Sequence, residues 1–148
     1  VRKKNVIFLC VHNSARSQIA EALLRHYAGD RYHVFSAGMK ATAVNPFALQ
    51  VLIEKGIDTS GLRSQSVKEY MGRHDIEHAI IVCRKMEEDC PSFSADARYI
   101  HRWIVEDPAA VDGTDDEKLA AFRQARDRID ARMRIWLEET AEMERQFS

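Results

Sequence analysis

The stretch Val6 to Ser17, VIFLCVHNSARS, constrains this chain more than any other. Val6, Ile7, Phe8 and Leu9 form an apolar run with no polar interruption, the pattern of a strand buried on both faces of a parallel sheet. Beyond the run, Ile19, Ala20, Leu23, Leu24 and Tyr27 recur at the spacing of an amphipathic helix. Cys10 is therefore expected where a strand ends and a helix is about to begin, with five residues between it and Arg16.

That placement has chemical consequences. The polar and small residues Asn13, Ser14 and Ala15 allow a tight turn in which successive backbone N–H groups and a helix N-terminus converge on an anion. Arg16 adds a planar fork of donors matched to a tetrahedral oxyanion. A thiol in such a cradle is expected to have its pKa lowered, from roughly 8.5 towards 3.5–7.5. Cys10 then reads as a thiolate nucleophile facing an anion bound by Val11, His12, Asn13, Ser14, Ala15, Arg16 and Ser17.

The remainder of the chain alternates strand and helix. Tyr32 to Ala37 reads as a second strand, and Asn45-Pro46 caps a helix that Gly56 ends. Ser66 with Glu69 forms a capping box for a short helix over Val67 to Met71. His78 to Cys83 and Tyr99 to Ile104 read as the third and fourth strands. Thr114 with Glu117 opens a long helix whose apolar stripe is Leu119, Phe122, Ile129, Met133, Trp136, Leu137 and Met143. The fold expected is a single α/β domain over residues 1–148, a four-stranded parallel sheet with helices on both faces. Ligands of such sheets bind beyond the carboxyl ends of the strands, so Cys10, Cys83 and the loop after Ile104 should share one edge.

With 148 residues and a formal net charge of -1, the chain has no global basic field, which argues against a nucleic-acid partner. The apolar run after Arg2, Lys3 and Lys4 is too short for a signal peptide or a membrane span, so a soluble, cytoplasmic monomer is expected. Six histidines show no metal-binding spacing, and Cys83 and Cys90 are not at a usual zinc spacing, so neither a metal nor a bound cofactor is expected. Three cysteines, an odd number, do not make a secreted disulfide scaffold. They suit a catalytic or redox role.

Cys83 ends a strand expected near Cys10, and Cys90 follows before Pro91. A thiolate that has attacked a tetrahedral anion forms an adduct, and a second thiol can attack its sulfur and release the anion's centre reduced by two electrons. Arsenic(V) accepts those electrons; phosphorus(V) does not. In NSARSQ after the nucleophile, in the Cys83-to-Cys90-Pro91 segment, and in EDPA followed by GTDDEK, the chain resembles the thioredoxin-coupled arsenate reductases of the low-molecular-weight protein tyrosine phosphatase-like family. The resemblance implies that Cys10 attacks arsenate, Cys83 attacks Cys10, and Cys90 attacks Cys83 to leave a disulfide for thioredoxin. Phosphate or sulfate would be analogues in the same loop.

By the same resemblance, Asp107-Pro108 carries the general acid. Ala109-Ala110 follow where the phosphatases typically have aromatic residues that frame a phosphotyrosine. His12 and Ala15 stand where some relatives have Gly and Cys. A potassium ion held in some members through Asn, Glu, Ser and Asp finds matches in Asn13, Glu21 and Ser36, but Gln65 replaces the Asp, so a structural polar network around Asn13 and Ser17 is the expected alternative. Two other functions compete: a redox-regulated phosphatase, and an oxyanion sensor without turnover. If Arg84 to Asp89 is helical, Cys83 and Cys90 stand about 10 Å apart along the axis. Their disulfide would then require that helix to unwind.

Overall fold

The computed structural model describes residues 3–70, 75–84 and 97–147. Strands β1 (Lys4–Cys10), β2 (Tyr32–Gly38), β3 (Ile76–Ile81) and β4 (Tyr99–Arg102) form one parallel sheet in the order β2-β1-β3-β4. β1 is an inner strand because its run Val6 to Leu9 is apolar and fully buried. The chain leaves β1 for β2 on one side and later returns to place β3 on the other. The end of β1 is thus a switch point of the topology, where open α/β sheets leave a crevice.

Helix α1 (Arg16–Ala28) makes the first crossover, and α2 (Pro46–Ile53) follows β2. The Asn45 side chain accepts the Phe47 N–H with Pro46 in the first turn, and Gly56, at φ +71°, closes the helix end in a left-handed conformation that suits glycine. The long helix α3 (Asp115–Phe147) begins at the expected capping box, with reciprocal Thr114–Glu117 bonds of 3.2 Å.

Successive strand residues face opposite sides of the sheet. Phe8 meets Trp103, which meets Trp136 of α3, and Tyr32 also meets Trp136. On that side α2 packs on α3 through Phe47 and Phe122, and buried Arg126 donates to the Val51 carbonyl. The opposite side is covered at Phe35 by Tyr70, which follows a 3-10 turn over Val67–Glu69. That turn carries the expected Ser66–Glu69 capping box. Residues 71–74 lie outside the described set, and with them the end of the helix expected over Val67 to Met71.

Some boundaries differ from the sequence reading. β3 ends at Ile81 rather than Cys83, and β4 at Arg102 rather than Ile104, although Val82 still donates to the Leu9 carbonyl and Val105 to that of Val82. The ladder continues as single bonds while the chain splays to form the site. Of the α3 stripe, Leu119 to Trp136 is buried, but Leu137 is half-buried and Met143 lies at the surface.

Candidate functional site

The loop after β1 is shaped by what its carbonyls do. The Val11 carbonyl accepts from Lys40 N–H at 2.8 Å, that of His12 from Thr42 N–H and the Ser64 hydroxyl, and that of Ser14 from Asn45 N–H at 2.9 Å. Asn13's carbonyl accepts from the Gln18 side chain at 3.0 Å, and Ala15's from Ile19 N–H within the start of α1. In a trans peptide the N–H points opposite to the preceding C=O. Five successive carbonyls held by surrounding structure therefore turn the N–H groups of His12 to Arg16 towards the other side, the arrangement that an anion cradle requires.

Asn13 adopts φ 50°, the one positive φ among the described non-glycine residues. Its fully buried side chain fixes it there: Nδ2 donates to Ser17 Oγ (2.9 Å) and Ser36 Oγ (2.8 Å), and Oδ1 accepts the Gln65 N–H at 2.7 Å. Gly38 backs the loop. A Cβ there would stand 2.5 Å from the Val11 carbonyl and 2.7 Å from the Asn13 nitrogen, so only glycine fits without moving the loop. Gln18 spends both amide hydrogens on the Asn13 and Arg63 carbonyls, and its buried Oε1 has no partner among the described residues. Gly38 was legible only as the end of a strand, and Gln18 only as part of the NSARSQ resemblance.

Cys10 and Cys83 are both buried, neither forms a disulfide among the described residues, and their thiols are in hydrogen-bond contact. The ladder brings them together: Val82 N–H bonds Leu9 O, and each cysteine is the next residue. The expectation that the cradle lowers the Cys10 pKa is corrected here. The bond to Cys83 and burial push the Cys10 thiol up, and these outweigh the pull of Arg16 and of the Val11 N–H. Two thiols in contact can share one negative charge but not two, so it is the second ionisation of the pair that is forced up.

Arg16 leaves the N-terminus of α1 with its Nη1 donating to the Val105 carbonyl at 2.8 Å and its Nη2 3.9 Å from Asp107 Oδ2. This ties the cradle to the loop after β4. Asp107 Oδ1 accepts the Ala109 N–H at 2.9 Å and caps a 3-10 turn over Pro108–Ala110. Its side chain remains 46% exposed, so the carboxyl stands at the mouth of the site and not beneath it. Ala109 and Ala110 are exposed and offer no aromatic wall. Cys10, Arg16, Cys83 and Asp107 are thus brought to one edge of the sheet; Cys90 and residues 85–89 of the segment expected to unwind lie outside the described residues.

Asn13, Glu21 and Ser36 also meet, but not as ligands for a cation. Ser36 Oγ donates to Glu21 Oε1 at 2.6 Å, and Arg25 Nη2 stands 2.7 Å from Glu21 Oε2. Gln65 Oε1 accepts from the Tyr70 hydroxyl at 2.8 Å. Protein donors already occupy these oxygens, and a guanidinium already supplies the charge, so the set does not fit a potassium ion. Among the described residues no group of three or more His, Cys, Asp or Glu could hold a metal, and no helix is long and apolar enough to cross a membrane.

Residues 5–146 match the family model of the low molecular weight phosphotyrosine protein phosphatases. An arsenate reductase of Halalkalibacterium halodurans is 38% identical over 93% of this chain and 98% of its own length. A solved arsenate reductase in its phosphate-binding state superposes with a TM-score of 0.77 at 28% identity, covering 92% of this chain and 98% of that one. A thioredoxin-dependent arsenate reductase of Corynebacterium glutamicum superposes at 0.66 and 28% identity over 93% of this chain, which spans 61% of that longer one. On these matches the chain belongs to the low molecular weight phosphotyrosine protein phosphatase family, whose fold it shares with solved arsenate reductases along nearly its whole length.

Proposed function

We propose that this protein reduces arsenate to arsenite. The observation that carries the reading is the buried Cys83 thiol in contact with Cys10 at the cradle. The hydrolysis of a phosphate ester needs no second thiol for its chemistry, whereas reduction needs one to supply electrons. In the first step the Cys10 thiolate forms a bond to arsenic, and an oxygen leaves as water after taking a proton from Asp107. The N–H groups of the loop and the Arg16 fork hold the charge of the arsenic oxygens.

The second step moves the electrons. Cys83, as thiolate, attacks Cys10 Sγ; a disulfide forms, the sulfur–arsenic bond breaks, and its electron pair stays on arsenic, which departs as arsenite. Two thiols have been oxidised and arsenic reduced from V to III. In our reading Cys90 then attacks Cys83, frees Cys10 and leaves a Cys83–Cys90 disulfide. The reductant of that disulfide is a dithiol protein, and thioredoxin is the candidate because the Corynebacterium glutamicum relative depends on it.

The test is Cys83→Ser assayed two ways. Arsenate-dependent oxidation of NADPH through thioredoxin and its reductase should be lost, while hydrolysis of an aryl phosphate should persist, because only reduction needs the second thiol. Aryl phosphate hydrolysis by the wild type without arsenate-dependent electron consumption would make the protein a phosphatase instead. Loss of both activities in the variant would make Cys83 structural.

A further inference from the structure

We propose that Arg25 is a positioning residue for the anion loop: a fixed guanidinium that, through Glu21 and Ser36, holds Asn13 in the conformation the cradle requires. The proposal rests on reading the Cys10 to Arg16 loop as the anion site. Glu21 lies on α1 with 3% exposure, and a carboxylate so buried needs a counter-charge. Arg25, one turn further on, supplies it. Its Nη2 is 2.7 Å from Glu21 Oε2 and also donates to the Val34 carbonyl at 2.8 Å, so the guanidinium is clamped between α1 and β2.

The consequence runs along one chain of hydrogen bonds. Glu21 Oε1 takes the Ser36 hydroxyl proton, and Ser36, with its only proton committed, must act as acceptor towards Asn13 Nδ2. The second amide hydrogen of Asn13 goes to Ser17, and its Oδ1 holds the Gln65 N–H. Every direction in this chain follows from Glu21 remaining a paired anion. The guanidinium stands where a bound cation would otherwise balance that charge. Without it the buried carboxylate must draw in water or an ion, Ser36 loses its fixed orientation, and the left-handed Asn13 at the centre of the loop is no longer held. Such a change weakens anion binding before it touches the thiols, because Cys10 and Cys83 sit outside the chain.

An ordinary helix-surface ion pair would do none of this, and the experiment separates the two. Phosphate binding is measured by calorimetry on the reduced protein, beside arsenate KM and kcat, for wild type, Arg25→Met, Arg25→Lys and Arg25→Gln. Arg25→Met should raise the phosphate dissociation constant and the arsenate KM roughly tenfold, the scale on which losing a group that orients a ligand-holding side chain is felt. Its kcat should change by less than about threefold, as expected for lost uniform binding. Millimolar guanidinium chloride should restore Arg25→Met and leave the wild type unchanged, and Arg25→Lys should retain most of the affinity. Unchanged phosphate binding in Arg25→Met would overturn the proposal. So would a loss that neither guanidinium nor the Lys variant repairs, which marks Arg25 as only structural. If Arg25→Met does not fold, Arg25→Lys and Arg25→Gln decide: equal affinities would refute the role of the charge. Phosphate binding requires no electron transfer, so the result stands whether or not arsenate proves to be the substrate.

Discussion

Lowering the pH from 7 to 5 should destabilise this protein through His78, which is buried on β3 with its ring edge-on to Trp136 and stacked on Tyr99. Its Nδ1 is 2.9 Å from His101 Nε2. Burial, then the nearby charges of His101, Lys4 and Arg98, hold its pKa down to about 3 from the ordinary 6.5. A histidine whose folded pKa is depressed binds fewer protons folded than unfolded. Its stability contribution is therefore present above pH 6.5 and is lost as the pH falls towards 3. Integrating between the two pKa values gives a loss of about 2 kcal/mol at pH 5 and only roughly 0.2 kcal/mol at pH 7. That is a substantial share of the roughly 5–15 kcal/mol that holds a typical domain together. The assay is urea unfolding at both pH values for wild type and His78→Phe, with the slope of the transition checked for constancy. Phe keeps a ring among Tyr32, Tyr99 and Trp136 but cannot pair with His101, so the variant should be weaker at pH 7 and yet lose less on acidification. Glu21, pushed up by burial, lies away from this pair and cancels between the two proteins, so the difference between them reports on the His78–His101 pair. Equal losses in the two proteins would refute the reasoning.

Two further changes test the chemistry. Cys10→Ser should abolish both arsenate reduction and aryl phosphate hydrolysis, because a serine hydroxyl is a far weaker acid and a poorer nucleophile than a thiol; turnover of either substrate by that variant would remove Cys10 as the nucleophile. Asp107→Asn should lower both rates by about 10²–10⁴, the usual contribution of a positioned acid, while Asn still caps the turn over Pro108–Ala110. An unchanged rate at the pH optimum of the wild type would leave Asp107 with its capping role alone.

The sheet and the cradle were legible in the sequence because local signals agree there. An uninterrupted apolar run, a polar turn and an amphipathic helix in succession leave little freedom for Cys10, and the caps at Asn45, Ser66 and Thr114 fix three more starts. What was illegible depends on partners far apart in the chain. His78 and His101 look like isolated histidines until the register of β3 against β4, which pairs His78 with Tyr99 and Ile80 with His101, brings the two rings together diagonally on one face of the sheet. Arg25 looks like one more exposed charge on a helix until β2 presents Val34 and Ser36 beside it.

The Cys10 pKa failed for the same reason. The cradle was readable from one stretch, but the thiol that opposes it arrives from the next strand. That opposition has a use in the proposed reaction. A hydrolase needs a lone thiolate, which a neighbouring thiol would only encumber. A reductase needs two thiols that ionise in turn: one charge on the pair for the attack on arsenic, and the second only after Cys10 has been bonded and can no longer carry its own. Contact between Cys10 and Cys83 suits that order, because two adjoining thiols do not both carry a charge, and bonding Cys10 to arsenic removes that competition.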